Sequence, residues 1–158
     1  MVMEDNCEPR SARQNFLGIT SKNCTINARL GNSAPPGFIT AQLRSSLDDP
    51  SGFVFEGGFV VGTGEVSLGR AWGPYSRVIF HRTKFSSVVS PEGWNAWDFR
   101  GHEDKFTYAE VDCTGPGANT SKRVKWEKKL TPSQLQAYSL SSFINKDKWL
   151  AKIPTIFL

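Results

Sequence analysis

Hydrophobic positions in this chain come in short runs separated by Gly, Pro, Asn and Ser. Residues 1–15 are polar and show no periodicity, which predicts a loose tail. From Phe16 onward, runs of β-branched and aromatic residues occupy 24–28, 38–42, 53–55, 59–61, 66–68, 77–80, 87–89 and 106–111. Runs of this length and type, bounded by turn formers, predict strands. Their starts at 24, 38, 53, 66 and 77 lie 14, 15, 13 and 11 residues apart. Neither two-residue Asn-Gly hairpin turns nor strict alternation of apolar and polar positions joins them. A β-solenoid, in which short strands stack on copies of themselves, fits this pattern somewhat better than a sandwich.

Helix signals come only near the C-terminus. In Thr131-Pro132-Ser133-Gln134, Thr is a good N-cap, Pro suits the first helical position, and Gln completes a capping box. Leu130, Leu135 and Tyr138 would share one face, and a second short helix is expected near 142–150.

With 158 residues, 39% of them hydrophobic, the chain can bury a core. Its net charge of +4, with the basic residues 122–129, reads first as an ordinary mixed, solvated surface, and it also admits a polyanionic partner: nucleic acid, an anionic membrane or an acidic polysaccharide. The densest basic stretch, 122–129, already contains Glu127 and matches no RNA-binding signature. No run of 18 apolar residues is present, and residues 1–15 lack the apolar core of a signal peptide. Cys7, Cys24 and Cys113 are too few for a disulfide framework and fit no zinc spacing, while one disulfide such as Cys24–Cys113 stays open. Gly62-Thr63-Gly64 is an incomplete phosphate loop, no Gly-x-Ser-x-Gly is present, and His81 and His102 have no matching partner. Of the two glycosylation sequons, at Asn23 and Asn119, the second lies in an accessible Gly/Pro loop.

Five segments in fixed order narrow the field. They are 37–44 (Gly-Phe-Ile-Thr-Ala-Gln-Leu-Arg), 51–55 (Ser-Gly-Phe-Val-Phe), 68–80 (beginning Leu-Gly-Arg-Ala-Trp-Gly-Pro), 91–97 (Pro-Glu-Gly-Trp-Asn-Ala-Trp), and Tyr108-Ala109-Glu110 leading to Cys113-Thr114-Gly115-Pro116-Gly117-Ala118. Together they resemble plant pectinesterases from about Phe16 to Leu150. The resemblance implies an all-β fold: a right-handed, single-stranded parallel β-helix, here partial, with a short C-terminal helical cap. Residues 1–15 are then an unmatched polar tail, and 16–158 a shortened β-helix domain. The implied activity is hydrolysis of galacturonan methyl esters to free carboxylate and methanol, in cell-wall modification and pectin catabolism. The family needs no metal or cofactor. Its partners are pectin and a proteinaceous pectinesterase inhibitor, with no nucleic acid or membrane, and its members are secreted to the cell wall.

The family works with two aspartates, a nucleophile and a general acid–base, from upstream Gln-Asp and Asp-Phe-Ile-Phe-Gly motifs. Neither motif is present here, and none of Asp5, Asp48, Asp49, Asp98, Asp104, Asp112 or Asp147 sits in a matching one. Impaired hydrolysis is the expectation, and a non-catalytic pectin-binding or regulatory fragment is the alternative. Arg70 matches the active-site arginine, which keeps a neighbouring aspartate ionised by paired hydrogen bonds. Trp72 matches the substrate-binding tryptophan, whose indole gives a sugar ring a flat apolar platform. Trp94 is expected along the same groove or, equally, in the core. Trp97, Thr40, Gln42 and Arg44 read as structural first.

Overall fold

A computed structural model of the chain describes residues 2–3, 10–11, 18–31 and 35–152. Within them the chain winds as a parallel β-solenoid of about three turns. The first ladder contains β3 (Gly18–Lys22), β7 (Gly52–Glu56), β11 (Arg77–His81) and β14 (Thr107–Val111), all parallel and adjacent in that order. The second stacks β4 (Thr25–Arg29), β8 (Phe59–Thr63) and β12 (Lys84–Phe85). The third, made of very short strands, stacks β6 (Ala41–Gln42), β10 (Gly69–Ala71) and β13 (Trp94–Asn95). A two-strand ladder of β5 (Gly37–Phe38) and β9 (Val66–Ser67) completes the wall.

The rungs explain the composition of the runs. Phe53 pairs in register with Val78, and Val78 with Tyr108; two residues along, Phe55 pairs with Phe80, and Phe80 with Glu110. Side chains alternate across a strand, so both sets point to the interior. There Phe55 stacks on Phe80 at 4.5 Å, and Trp94 on Tyr108 at 4.6 Å. The in-between rung of Val54, Ile79 and Ala109 faces outward, yet it too is buried.

The outer face is covered by the C-terminal segment. Helix α1 (Pro132–Gln136) starts with the predicted capping box: Thr131 Oγ1 accepts from Gln134 N at 3.2 Å, and Gln134 Oε1 accepts from Thr131 N at 2.8 Å. A π-turn at Leu140–Ile144 and a 3-10 turn at Trp149–Lys152 follow, where the second helix was expected. Ile144 is buried against β3, so close that a Cβ on Gly18 would lie 3.0 Å from its Cδ1. Tyr138 receives the Arg77 guanidinium over its ring at 5.4 Å.

Three expectations change. Within residues 1–15, read as a loose tail, Val2–Met3 form β1, antiparallel to β4, and Arg10–Ser11 form β2, antiparallel to β3, while the others lie outside the described residues. Outer strands with unpaired amides and carbonyls attract any extended segment, whatever its composition. Residues 87–89 form a turn with a single bridge from Val89 to Val66. The basic stretch is partly internal: Arg123 and Glu127 are buried. Cys24 is disulfide-bonded and Cys113 is free, so the two are not joined to each other. Burial pushes the Cys113 thiol up to about 12, which leaves it protonated and unreactive at neutral pH.

Arg123 closes the last coil. Its Nε donates to Glu110 Oε1 at 2.6 Å and Nη2 to Glu110 Oε2 at 2.9 Å. Nη1 donates to the carbonyls of Ser90 and Pro91, and Nη2 also to that of Gly117. Gly93, at φ +74, must lack a side chain, because a Cβ would lie 2.4 Å from Arg123 Cδ. Removing one member of a buried, saturated ion pair strands the other charge, so Arg123→Ala should cost about 3–5 kcal/mol in denaturant unfolding. Nearby, burial raises the Glu127 carboxyl above its usual range; the Lys129 ammonium pulls it back, and Glu110 adds to the rise. Because the folded-state value is the higher one, stability is fully present below the unfolded value of 4.5 and falls as pH rises through the folded one. Glu127→Gln should therefore stabilise the chain at neutral pH, with the gain vanishing toward acid in melts across pH.

Candidate functional site

The short third ladder places the charged candidate. In β10, Gly69 and Ala71 are buried while Arg70 points out, flanked in register by Ala41 of β6 and Asn95 of β13. Pairing on both sides fixes the backbone from which the arginine projects. Gly69 is glycine for a packing reason: a Cβ there would meet Thr40 Oγ1 at 2.4 Å and the Trp94 ring at 3.3 Å. Thr40 Oγ1 in turn donates to the Leu68 carbonyl at 2.9 Å, tying the two coils together beside the site.

Outside the wall, three aromatic rings gather round the guanidinium. Arg70 Cζ lies 4.5 Å from the Trp97 ring centre, 4.8 Å from Phe38 and 5.0 Å from Trp72. Phe38 and Trp97 meet edge to face at 5.9 Å. Each cation–π contact contributes about 0.5–2 kcal/mol, so the three hold the arginine in place. Among the described residues no carboxylate pairs with Arg70, and its buried Nε has no hydrogen-bond partner. Trp72 is 49% exposed and Trp97 42%. The guanidinium therefore sits among open aromatic faces, able to take a planar anion in two parallel hydrogen bonds.

Beside this cluster is a cavity of about 450 Å³ lined by Phe38, Ser67, Glu65, Glu92, Asn95 and Lys122, among others. The volume suits one or two sugar rings.

Of the two places open to Trp94, groove or core, the structure has it in the core. Trp94 is only 2% exposed. Its indole stacks on Tyr108 and donates through Nε1 to Glu110 Oε1 at 3.2 Å, so it floors the site from inside and offers no face to the groove. Trp97, read as structural, lies exposed against the Arg70 guanidinium. It opens a 3-10 turn, Trp97–Phe99, at φ +52, with its amide donating to Asn95 Oδ1 at 2.8 Å. The missed signal was Asn95: an Asn two residues ahead can turn the backbone and throw the next side chain outward. Phe38, not singled out in the sequence, packs on the same guanidinium. Thr40, Gln42 and Arg44 are buried in ladder and turn contacts, with Arg77 N donating to Gln42 Oε1 at 2.9 Å and Arg44 Nη1 to the Tyr75 carbonyl at 3.2 Å. No group of three or more metal-ligating side chains occurs among the described residues.

The pectinesterase family model matches residues 18–147. The chain belongs to the pectinesterase family. It is 46% identical over 135 residues to "Probable pectinesterase 55" of Arabidopsis thaliana, covering 84% of this chain and 41% of that protein. To "Putative pectinesterase 11" of the same plant it is 38% identical over 155 residues, covering 96% and 43%. Pectin methylesterase from carrot superposes with a TM-score of 0.78 at 29% identity, over 89% of this chain and 48% of that one. An Aspergillus niger pectin methylesterase shares the fold, with a TM-score of 0.67 at 24% identity. The chain thus spans about two-fifths of the length of its Arabidopsis relatives. It has the β-helix of the pectin methylesterases.

The contact under Gly69 is testable. Gly69→Ala should lower the denaturation midpoint by the equivalent of about 1–3 kcal/mol. Thr40→Ala, which removes the nearest colliding atom, should make the Gly69→Ala change cheaper in the double variant.

Proposed function

We propose that the Arg70 groove is the substrate side of a pectinesterase site, receiving methyl-esterified galacturonan for hydrolysis to carboxylate and methanol. The observation behind this reading is the exposed cluster of Arg70 with Trp72, Trp97 and Phe38 on one wall of the solenoid. Indole and phenyl faces match the apolar C–H faces of pyranose rings and the ester methyl. The guanidinium orients a carboxylate and keeps it ionised, and an ionised carboxylate is what attacks an ester carbonyl.

The residues that do that chemistry are not among the motifs of this chain, and Arg70 has no carboxylate partner among the described residues. The reading is therefore that the nucleophile and the acid–base carboxylate come from a portion of the protein outside these 158 residues, and that this chain by itself is impaired. The unpaired arginine favours a second reading of the isolated chain, a pectin-binding module without hydrolysis. In either reading the protein works in the cell wall, with pectin as its partner and an inhibitor protein as a further one. No described helix is long and apolar enough to cross a membrane.

Methanol release from highly methylated pectin tests this. The folded chain alone should release none, and the same chain joined to the upstream coils of a relative should release it. Arg70→Ala in the joined protein should lower kcat by about 100-fold or more, and Trp97→Ala should act mainly on KM. Methanol from the 158-residue chain alone would show that the upstream carboxylates are dispensable and sink the proposal.

A further inference from the structure

A second cavity, of about 550 Å³, shares no lining residue with the one beside Arg70 and lies between the loop after Trp72 and the C-terminal segment. Three lysines line it, Lys105, Lys128 and Lys129, together with Tyr75 and Tyr138 and a single carboxylate, Asp104. Lys105 and Lys129 are exposed and Lys128 is half-buried. Lys128 Nζ donates to the Asp104 carbonyl at 2.9 Å, which anchors its ammonium at the rim. Lys105 Nζ sits 5.8 Å from the Tyr75 ring centre. Lys129 is tied from behind by Glu127 Oε2 at 2.7 Å, leaving its other protons to the solvent side.

The two cavities differ in sign. The one beside Arg70 has Glu65 and Glu92 against Lys122, whereas this one has three ammonium groups against one lining carboxylate, Asp104, with Glu127 paired to Lys129 from behind. Dense like charge in a concave, partly apolar setting raises the local concentration of the opposite ion. Two tyrosine rings supply flat surfaces with polar tips, which suits a hydroxylated ring better than a purely apolar ligand.

We propose that this cavity binds de-esterified galacturonan, a chain of sugar carboxylates, as a site separate from the groove. The choice of uronate over other polyanions rests on the pectinesterase reading, because the product of ester hydrolysis is a polymer of this kind. Ammonium groups meet the carboxylates, and the rings of Tyr75 and Tyr138 pack on the pyranose faces. The groove then takes the neutral esterified stretch of a polymer whose acidic stretch is held here.

Titration calorimetry with trigalacturonate at low salt tests the assignment. Lys105→Ala/Lys129→Ala removes two exposed side chains and should raise Kd about tenfold, whereas the Lys→Arg pair at the same positions should stay near wild type. Trp72→Ala, which strips the groove, should leave the trimer Kd within about twofold. Thermal melts of each variant check that the fold is kept. An unchanged Kd in the double Ala variant overturns the proposal. So does loss of trimer binding in Trp72→Ala alone, or equal affinity for an oligonucleotide of matched charge. Methanol release is a separate readout: trimer binding at the lysines with no hydrolysis by the joined protein would overturn the catalytic reading and leave this site standing.

Discussion

The Arg123–Glu110 ion pair is the constraint on which the rest of the solenoid turns. Along its rung the interior is aromatic, Phe55 on Phe80, until the last coil puts Glu110 in register. A carboxylate at the end of an apolar stack is tolerable only with a cation and full hydrogen bonding. Arg123 supplies both. All five of its N–H groups have an acceptor within reach: two carboxylate oxygens and three backbone carbonyls. Those carbonyls belong to Ser90, Pro91 and Gly117, so one side chain joins two turns to β14. Glu110 Oε1 also accepts from Trp94, and Trp94 lies under Gly69. The strand bearing Arg70 thus rests on a floor whose geometry is set by an ion pair on another ladder.

Arg70 itself is held in a different way. A long cationic side chain among exposed rings would lose its position without a partner, since each rotamer surrendered costs entropy. Three ring contacts between 4.5 and 5.0 Å replace the carboxylate that would ordinarily fix it. The site is therefore one organised wall. Rings and charge are in place on a rigid ladder, and a carboxylate arriving opposite would meet a guanidinium that needs no rearrangement.

Much of this was legible in the sequence, for physical reasons that differ by element. Strands of five residues such as β7, β8, β11 and β14 announce themselves by β-branched and aromatic content. The capping box is read from four adjacent residues because the interaction closes within one helical turn. Strands of two or three residues, β10 and β13, have no periodicity to read, and only the resemblance drew attention to Arg70. Trp94 and Trp97 stand three apart in one motif, and which faces in depends on the rung that Trp94 joins and on the turn that Asn95 starts. Arg123 and Glu127 looked like part of a solvated basic run. Their burial is set by Glu110, which is distant in sequence, and by the backbone amide of Glu110 that Glu127 accepts at 3.2 Å.

The outer face of the first ladder shows why the C-terminal segment belongs to this fold. Parallel sheets are stable when both faces are covered, and the consecutive buried residues Val78, Ile79 and Phe80 reflect that demand. The interior covers Val78 and Phe80. Ile79, with Val54 and Ala109 beside it, needs a second layer, and the segment from α1 to Ile144 provides it, reaching as far as Gly18 on β3. Between leaving the last coil at Lys128 and reaching β3, this segment brings Lys128, Lys129 and Tyr138 against Tyr75 and Lys105. Covering the sheet and building the lysine-lined cavity are thus consequences of one chain path, because the basic side chains sit where the path crosses from the coil to the outer face.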